Sequence, residues 1–209
     1  MQPAEGKTRK NGVVTTTGNT VGILLAAGAG SRFTGNHHKL LAEVDGTPIW
    51  AHSLGQLVAA NIGPTIVVTG AAQLQIEIDT VHEVHNPNWA DGQSTSLNAG
   101  IRLAEELGAT VAIIGLADQP GITTDAWRNL AQSASPLATA TYDGAPGHPV
   151  RIAAELWDEL PTSGDFGARA LLRKYEHHVE RIPCSGSPFD IDTTKDLDEW
   201  LKQSPTSSP

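Results

Sequence analysis

Cysteine is nearly absent from the 209-residue chain: Cys184 stands alone. No internal disulfide can form, and a reducing, cytoplasmic setting is expected. No run of about 18 apolar residues occurs, which excludes a membrane-spanning helix. Positive charge is in deficit, with 14 Lys and Arg against 23 Asp and Glu and a formal net charge of −9. Nucleic-acid binding driven by counterion release is therefore excluded as a general activity. A small cationic pocket remains compatible with an acidic whole. Lys7, Arg9 and Lys10 are followed by Thr- and Gly-rich sequence rather than an apolar stretch, so no secretory signal is expected. Zinc-type Cys/His spacing is missing as well. The pairs His37-His38 and His177-His178 diverge on any regular element, and Cys184 has no neighbouring cation to activate it.

What is present is a globular composition, 39% hydrophobic and 18% charged. At roughly 150 residues per domain the length predicts a single domain. Residues 1–20 and 204–209 are expected to be a disordered leader and tail around a domain over 21–203, with 144–188 an acceptor-side insertion. Short β-type runs at 21–26, 65–69, 82–85, 110–116 and 138–142 alternate with amphipathic stretches at 48–60, 95–107 and 125–132. That alternation predicts a three-layer α/β/α domain with a mostly parallel central sheet. Thr47 followed by Pro48 predicts an N-cap with proline at the first helical position, and Gly108 a helix stop. Further on, Pro146 to Val150 reads as a turn, and helices are expected near 151–160, from Gly164 to about His177, and at 194–201. A last strand is expected near 179–183.

The most informative segment joins the first strand to Leu25, Ala26, Ala27, Gly28, Ala29, Gly30 and Ser31, followed by Arg32 and Lys39. Small residues let the backbone approach a ligand, amides cradle phosphate oxygens, and the two cations neutralise the remaining charge. Two familiar glycine motifs fail here. A dinucleotide fingerprint starting at Gly28 requires glycine where Phe33 stands, and a P-loop ending at Gly35 requires lysine where Asn36 stands. Asp118, at the end of the most apolar strand and followed by Gln119-Pro120, fits either a Mg²⁺ ligand beside a phosphate site or a turn cap. Asp190 and Asp192 compete for the role of second carboxylate.

These residues resemble the signature of nucleotidyltransferases with a Rossmann-like, GT-A-type fold, the architecture of nucleotide-diphospho-sugar transferases. Within that group the chain is similar to the molybdenum cofactor cytidylyltransferase-like branch. The resemblance rests on Leu25-Ala26-Ala27-Gly28 with Arg32 and Lys39, on Asn86-Pro87-Asn88-Trp89 with Gly92, Ser94, Ser96 and Gly100, and on Asp118-Gln119-Pro120. It continues through Gly147-His148-Pro149-Val150, Gly164-Asp165-Phe166-Gly167-Ala168-Arg169 and Asp190-Ile191-Asp192-Thr193. The stretch from Arg32 to Lys39 is about two residues longer than the family's common spacing and contains His37-His38.

The resemblance implies a Mg²⁺-dependent enzyme that transfers CMP from CTP to the terminal phosphate of a molybdopterin-type acceptor and releases pyrophosphate. Arg32, Lys39 and Asp118 are its expected catalytic residues. Residues 25–31, Ser96 and Asp118 would bind the nucleotide. His148, Asp165 and Arg169 would face the acceptor, although His148 in a Pro-bracketed turn also fits plain packing. Asp118 and Asp192 would hold the metal. The Ala26-Ala27 pair matches the cytidylyl branch, whereas a guanylyl branch carries glycine second. GTP or another phosphorylated acceptor is the alternative chemistry, and a non-catalytic cofactor-binding chaperone the alternative class. A molybdoenzyme or its chaperone is the implied protein partner.

Overall fold

The computed structural model describes residues 19–34 and 37–203. The expected tail at 204–209 lies outside the described residues, as does the expected leader up to residue 18. Thr20 already belongs to the first strand.

Strand alternation builds the core. In β1 (Thr20–Ala26), Ile23 and Leu25 face one apolar layer while Leu24 and Ala26 face the other. The same division separates Ile66 and Val68 from Val67 in β4 (Thr65–Thr69). It also separates Ala112 and Ile114 from Val111 and Ile113 in β6 (Val111–Leu116). Strands apolar on both sides must be covered on both sides. α1 (Ile49–Ala60) and α3 (Thr124–Gln132) cover one face through Leu54, Leu57, Trp127 and Leu130. α2 (Gln93–Glu106) covers the other with Leu97, Ile101 and Ala104. Gly115 is required for this packing, since a Cβ there would lie 2.5 Å from the Trp127 ring.

Between β1 and α1 a small hairpin, β2 (Glu43–Val44) and β3 (Thr47–Pro48), turns through Asp45-Gly46. Both turn residues have positive φ, 51° and 74°, as a two-residue primed turn demands. This hairpin corrects the expected Thr47 cap. Thr47 is used in the ladder, and Pro48 itself takes the cap position with no side-chain bond. Gly108, at φ +71°, ends α2 as expected.

The remaining strands are β5 (Val81–His85), β7 (Leu137–Tyr142), β8 (Ala145–Ala153) and β9 (Glu180–Pro183), and the seven-stranded sheet runs β5-β4-β1-β6-β8-β7-β9. β5, β4, β1 and β6 are mutually parallel, while β8 is antiparallel to both its neighbours. β8 overturns two expectations. Pro146 to Val150 is strand rather than turn, and Arg151 continues it rather than opening a helix. The register explains how prolines enter a central strand: Thr139 pairs Val150 but Ala140 pairs Gly147, so His148 and Pro149 occupy a bulge where no ladder bond is needed. After the bulge, Val150 and Ile152 alternate into the core. The Arg151 guanidinium bonds the carbonyls of Ser135, Leu130 and Ala131 near the end of α3. The segment 144–188 is thus woven into the sheet through β8 and β9 rather than inserted beside it.

The helix expected from Gly164 to His177 is also shorter. Gly164 and Gly167 have positive φ, so only α4 (Arg169–Lys174) is helical, and a separate short turn covers Glu176–His178. A final helix, α5 (Thr194–Gln203), closes the fold. Among the described residues no helix is long and apolar enough to cross a membrane.

Candidate functional site

From β1 the chain moves to β4 and β5 on one side of the sheet, then returns to β6 on the other side of β1. A reversal of this kind opens a crevice at the carboxyl ends of the two central strands, where ligands bind in open α/β sheets. Residues 25–32 lie at the end of β1, and Asp118 lies two residues past β6.

The loop after β1 turns its carbonyls inward. Ala71 N–H donates to Ala27 O at 3.1 Å, and Phe33 N–H donates to Gly30 O at 3.0 Å. His38 Nε2 lies 2.9 Å from Gly28 O. Among the described residues no acceptor meets the N–H groups of Gly28, Ala29, Gly30 or Ser31. Gly30 holds φ +60°, and a Cβ there would lie 3.0 Å from Lys39 Cγ. The result is an amide-lined cradle leaning on the lysine.

Lys39 sits in a short 3-10 turn, Lys39–Leu41, anchored by buried Leu40. Its Nζ donates to Asp118 Oδ2 at 2.6 Å and to Asp192 Oδ1 at 2.7 Å, and Arg32 reaches Asp192 Oδ2 at 2.8 Å. Only 10% of the Lys39 side chain is exposed. Burial acts to lower its pKa, but the adjacent Asp118 and Asp192 carboxylates outweigh burial and raise it above the ordinary value. Asp118 Oδ1 is buried and meets no partner among the described residues.

Backbone geometry fixes the second carboxylate. Ile191 N–H donates to Asp118 O at 2.9 Å, and fully buried Ile191 packs with Val44 and Ile49. Asp196 Oδ2 accepts from the N–H of Asp192 and Thr193, while Thr193 Oγ1 accepts from Asp196 N–H. This reciprocal cap starts α5 and holds Asp192 toward Lys39. Asp190 turns to the other side of Ile191, where it accepts from Gln119 Nε2 at 2.9 Å. Partial desolvation, then the like charges of Asp118 and Asp192, push its pKa up to about 6 against the Gln119 bond and the Lys39 charge.

Two cavities adjoin here. The first, about 340 Å³, is walled by residues 25–32, Lys39, Asp118, Asp192, Ser96, Trp89 and Asp165. Ser96 Oγ accepts from Asn86 Nδ2 at 2.9 Å, which leaves its own O–H to donate to a ligand. The second, about 600 Å³, is walled by His148, Arg169, Arg173, Arg181, Gln119, Phe166 and Asp190. Gln93 and Leu116 line both. Burial, then the Arg169 charge, push His148 down to about 4 against the opposing pull of Asp118, so its ring is neutral near pH 7.

The structure therefore gathers Arg32, Lys39, Asp118, Asp192, Ser96 and residues 25–31 at one cavity, and His148 and Arg169 at the other. Asp165 departs from its expected place, lying in the first cavity instead of the second. Sequence reasoning missed Arg173, Arg181, Gln93 and Asn86. Arg173 had a signal, four positions after Arg169 and so on the same helical face. Asn86 stood in the quoted Asn86-Pro87-Asn88-Trp89 run. Arg181 and Gln93 had none. Burial pushes the Cys184 thiol pKa up, which disfavours the thiolate.

An amide cradle backed by paired carboxylates and cations, at the switch point of a mostly parallel sheet, defines an α/β nucleotidyltransferase. The chain belongs to the MobA-like NTP transferase domain family, whose model matches residues 22–179. It is 29% identical over 196 residues to the purine catabolism protein PucB of Bacillus subtilis, covering 85% of this chain and 94% of PucB. Among solved structures, Rv0371c of Mycobacterium tuberculosis H37Rv superposes with a TM-score of 0.77 at 23% identity, covering 90% of this chain and 100% of that one. Rv0371c has also been solved in complex with manganese. A nucleotidyl transferase from Methanothermobacter thermautotrophicus, Mth528, gives 0.74 at 21% identity, covering 88% and 96%.

Proposed function

We propose that this protein transfers CMP from CTP to the terminal phosphate of a molybdopterin-type acceptor, releasing pyrophosphate. The observation that carries the reading is the buried, unpartnered Asp118 Oδ1 between an amide-lined cradle and an arginine-lined second cavity. Hard oxygen donors suit Mg²⁺, which takes one or two carboxylates together with phosphate and water. Asp118 and Asp192 would hold it, in keeping with the manganese complex of Rv0371c. When bound, the ion supplies positive charge that neutralises the triphosphate.

The chain's own residues do the rest. Amides of residues 28–31 and the Arg32 and Lys39 cations hold the β- and γ-phosphates. An acceptor phosphate oxygen attacks the α-phosphorus, a new P–O bond forms, and the α–β bridging bond breaks with its electron pair leaving on pyrophosphate. That oxygen is already ionised near neutral pH, so positioning and charge suffice and no general base is needed. Ala27 supports the smaller base. A Cβ on Gly70 would lie 2.8 Å from the Cβ atoms of both Ala27 and Trp89, so the wall there is closely packed. Ser96 offers a hydroxyl donor to the acceptor atoms of cytosine. In the second cavity, Arg169, Arg173 and Arg181 fit an anionic acceptor, and Phe166, 56% exposed, offers a face to a planar ring. The lone cysteine suits a cytoplasmic location, and a recipient molybdoenzyme or its chaperone completes the proposed setting.

The test is pyrophosphate release with Mg²⁺ and molybdopterin, compared across CTP, GTP, ATP and UTP. Release with CTP above the others is expected. Release with GTP alone would overturn the base assignment, and no release with any triphosphate would overturn the enzyme.

A further inference from the structure

The longer Arg32-to-Lys39 stretch contains one side chain for which the reaction has so far found no use, His38. Its ring touches two parts of the phosphate site at once. Leu40 N–H donates to Nδ1 at 3.2 Å, and Nε2 lies 2.9 Å from Gly28 O. A backbone N–H can only donate and a carbonyl can only accept. The ring therefore carries its proton on Nε2, accepting at one nitrogen and donating from the other.

The first bond caps the 3-10 turn that begins with Lys39. The second holds the Gly28 carbonyl back into the protein, which leaves the loop amides facing the cavity. Contact continues at the loop tip, where a Cβ on Gly30 would lie 3.1 Å from His38 Nε2 and 3.0 Å from Lys39 Cγ. One imidazole thus sets both the amides and the ammonium that face the same ligand oxygens.

We infer that His38 is a positioning residue for the phosphate cradle, fixing the Gly28 carbonyl and the Lys39 turn in register so that loop amides and lysine meet one pyrophosphate group together. This rests on the proposed role of the loop in holding phosphates. It does not depend on which base or acceptor the protein uses. Because the cradle holds the pyrophosphate moiety both before transfer and as it leaves, a loosened cradle weakens its binding.

The experiment is calorimetric titration of the full chain with pyrophosphate in the presence of Mg²⁺, for the wild type and for His38→Ala, His38→Gln and His38→Asn. The Gln amide nitrogen reaches the position of Nε2 and keeps the donor to Gly28, whereas the Asn oxygen replaces Nδ1 and keeps only the cap on Leu40. His38→Ala is expected to weaken pyrophosphate binding about ten-fold, the effect of losing one or two hydrogen bonds. His38→Gln is expected to recover most of that loss and His38→Asn less of it. With the triphosphate the wild type prefers, kcat/KM falls by at least a similar factor in His38→Ala and is largely restored in His38→Gln. Binding by His38→Ala within two-fold of wild type would overturn the inference, as would a Gln variant no better than Ala. If the wild type binds no pyrophosphate, the phosphate-loop reading fails and the role of His38 falls with it. Thermal midpoints of the three variants report folding separately.

Discussion

Lys39 occupies the space between the two carboxylates proposed to hold metal, so its ammonium competes with a cation for them. The perturbation that exposes this is Lys39→Met, which keeps an unbranched apolar stem and removes the ammonium. Nζ makes two charge-assisted bonds, 2.6 Å to Asp118 and 2.7 Å to Asp192, with the carboxylate side chains only 18% and 21% exposed. Hydrogen bonds to charged groups contribute about 1.5–3 kcal/mol each. A metal held by both carboxylates would compete with Lys39 or Arg32 at Asp192, whose two oxygens they engage, and loss of one Lys39 bond corresponds to roughly ten-fold to a hundred-fold in affinity.

Without nucleotide, Lys39→Met is therefore expected to bind Mn²⁺ at least ten-fold more tightly than wild type, as measured by electron paramagnetic resonance of free Mn²⁺ at fixed ionic strength. Pyrophosphate affinity should move the opposite way, because the same ammonium then faces phosphate oxygens. Opposite signs are the diagnostic, since a general loss of structure weakens both. Mn²⁺ affinity equal to or below that of wild type would refute the competition. In that case the Lys39 bridge would be an ion pair unrelated to any cation site.

Asp118→Asn keeps the shape of the side chain but removes its charge, and pyrophosphate release is expected to fall by at least two orders of magnitude while the far-ultraviolet circular dichroism stays that of the wild type. Unimpaired release would refute the proposed metal-holding role of Asp118. His148 is held near pKa 4 in the fold against an ordinary value of 6.5. The unfolded chain therefore binds the extra proton first, and stability is lost as pH falls from about 6.5 to 4. A His148→Asn variant should show a shallower fall in thermal midpoint over that window, and parallel curves would contradict the assignment. Gly115→Ala places a methyl 2.5 Å from the fully buried Trp127 ring. Overpacking of this kind costs about 1–3 kcal/mol, readable in urea unfolding, and a neutral result would mean that Trp127 can shift.

Local patterns made the parallel half of the molecule legible. Runs such as Val111 to Leu116 are apolar on both faces, and the small residues after β1 have few uses other than a close backbone approach. β8 was hidden because its informative residues contradict one another. Pro146, Gly147 and Pro149 are turn formers in isolation, and only the β7 register shows Pro146 and Gly147 paired with Thr141 and Ala140 and Pro149 in a bulge. The same bulge aims His148 into the second cavity, so the irregularity that concealed the strand also places a side chain at the site. Asp165 illustrates a different limit. Gly164 N–H and Gly164 O bond Asp91 O and Ser94 N–H, which pulls its loop against the start of α2 and into the first cavity. No spacing within 164–169 encodes that long-range pairing.

The charge imbalance acquires a location in the fold. Of the 14 Lys and Arg residues, five line the two adjoining cavities: Arg32 and Lys39 in the first, Arg169, Arg173 and Arg181 in the second. The protein as a whole repels anions, yet both proposed ligands are anionic, so attraction has to be local and short in range. Asp118 and Asp192 work against it at the point where the two ligands must meet. A divalent cation held by that pair would reverse the sign of that point, whereas Lys39 alone cannot offset two carboxylates and a triphosphate. On the proposed assignment the acidic pair would make phosphate binding depend on a metal held by Asp118 and Asp192, in competition with Lys39. On this reasoning metal and nucleotide would enter most favourably together, and the Lys39 ammonium, freed from the carboxylates, would be placed to meet the phosphates.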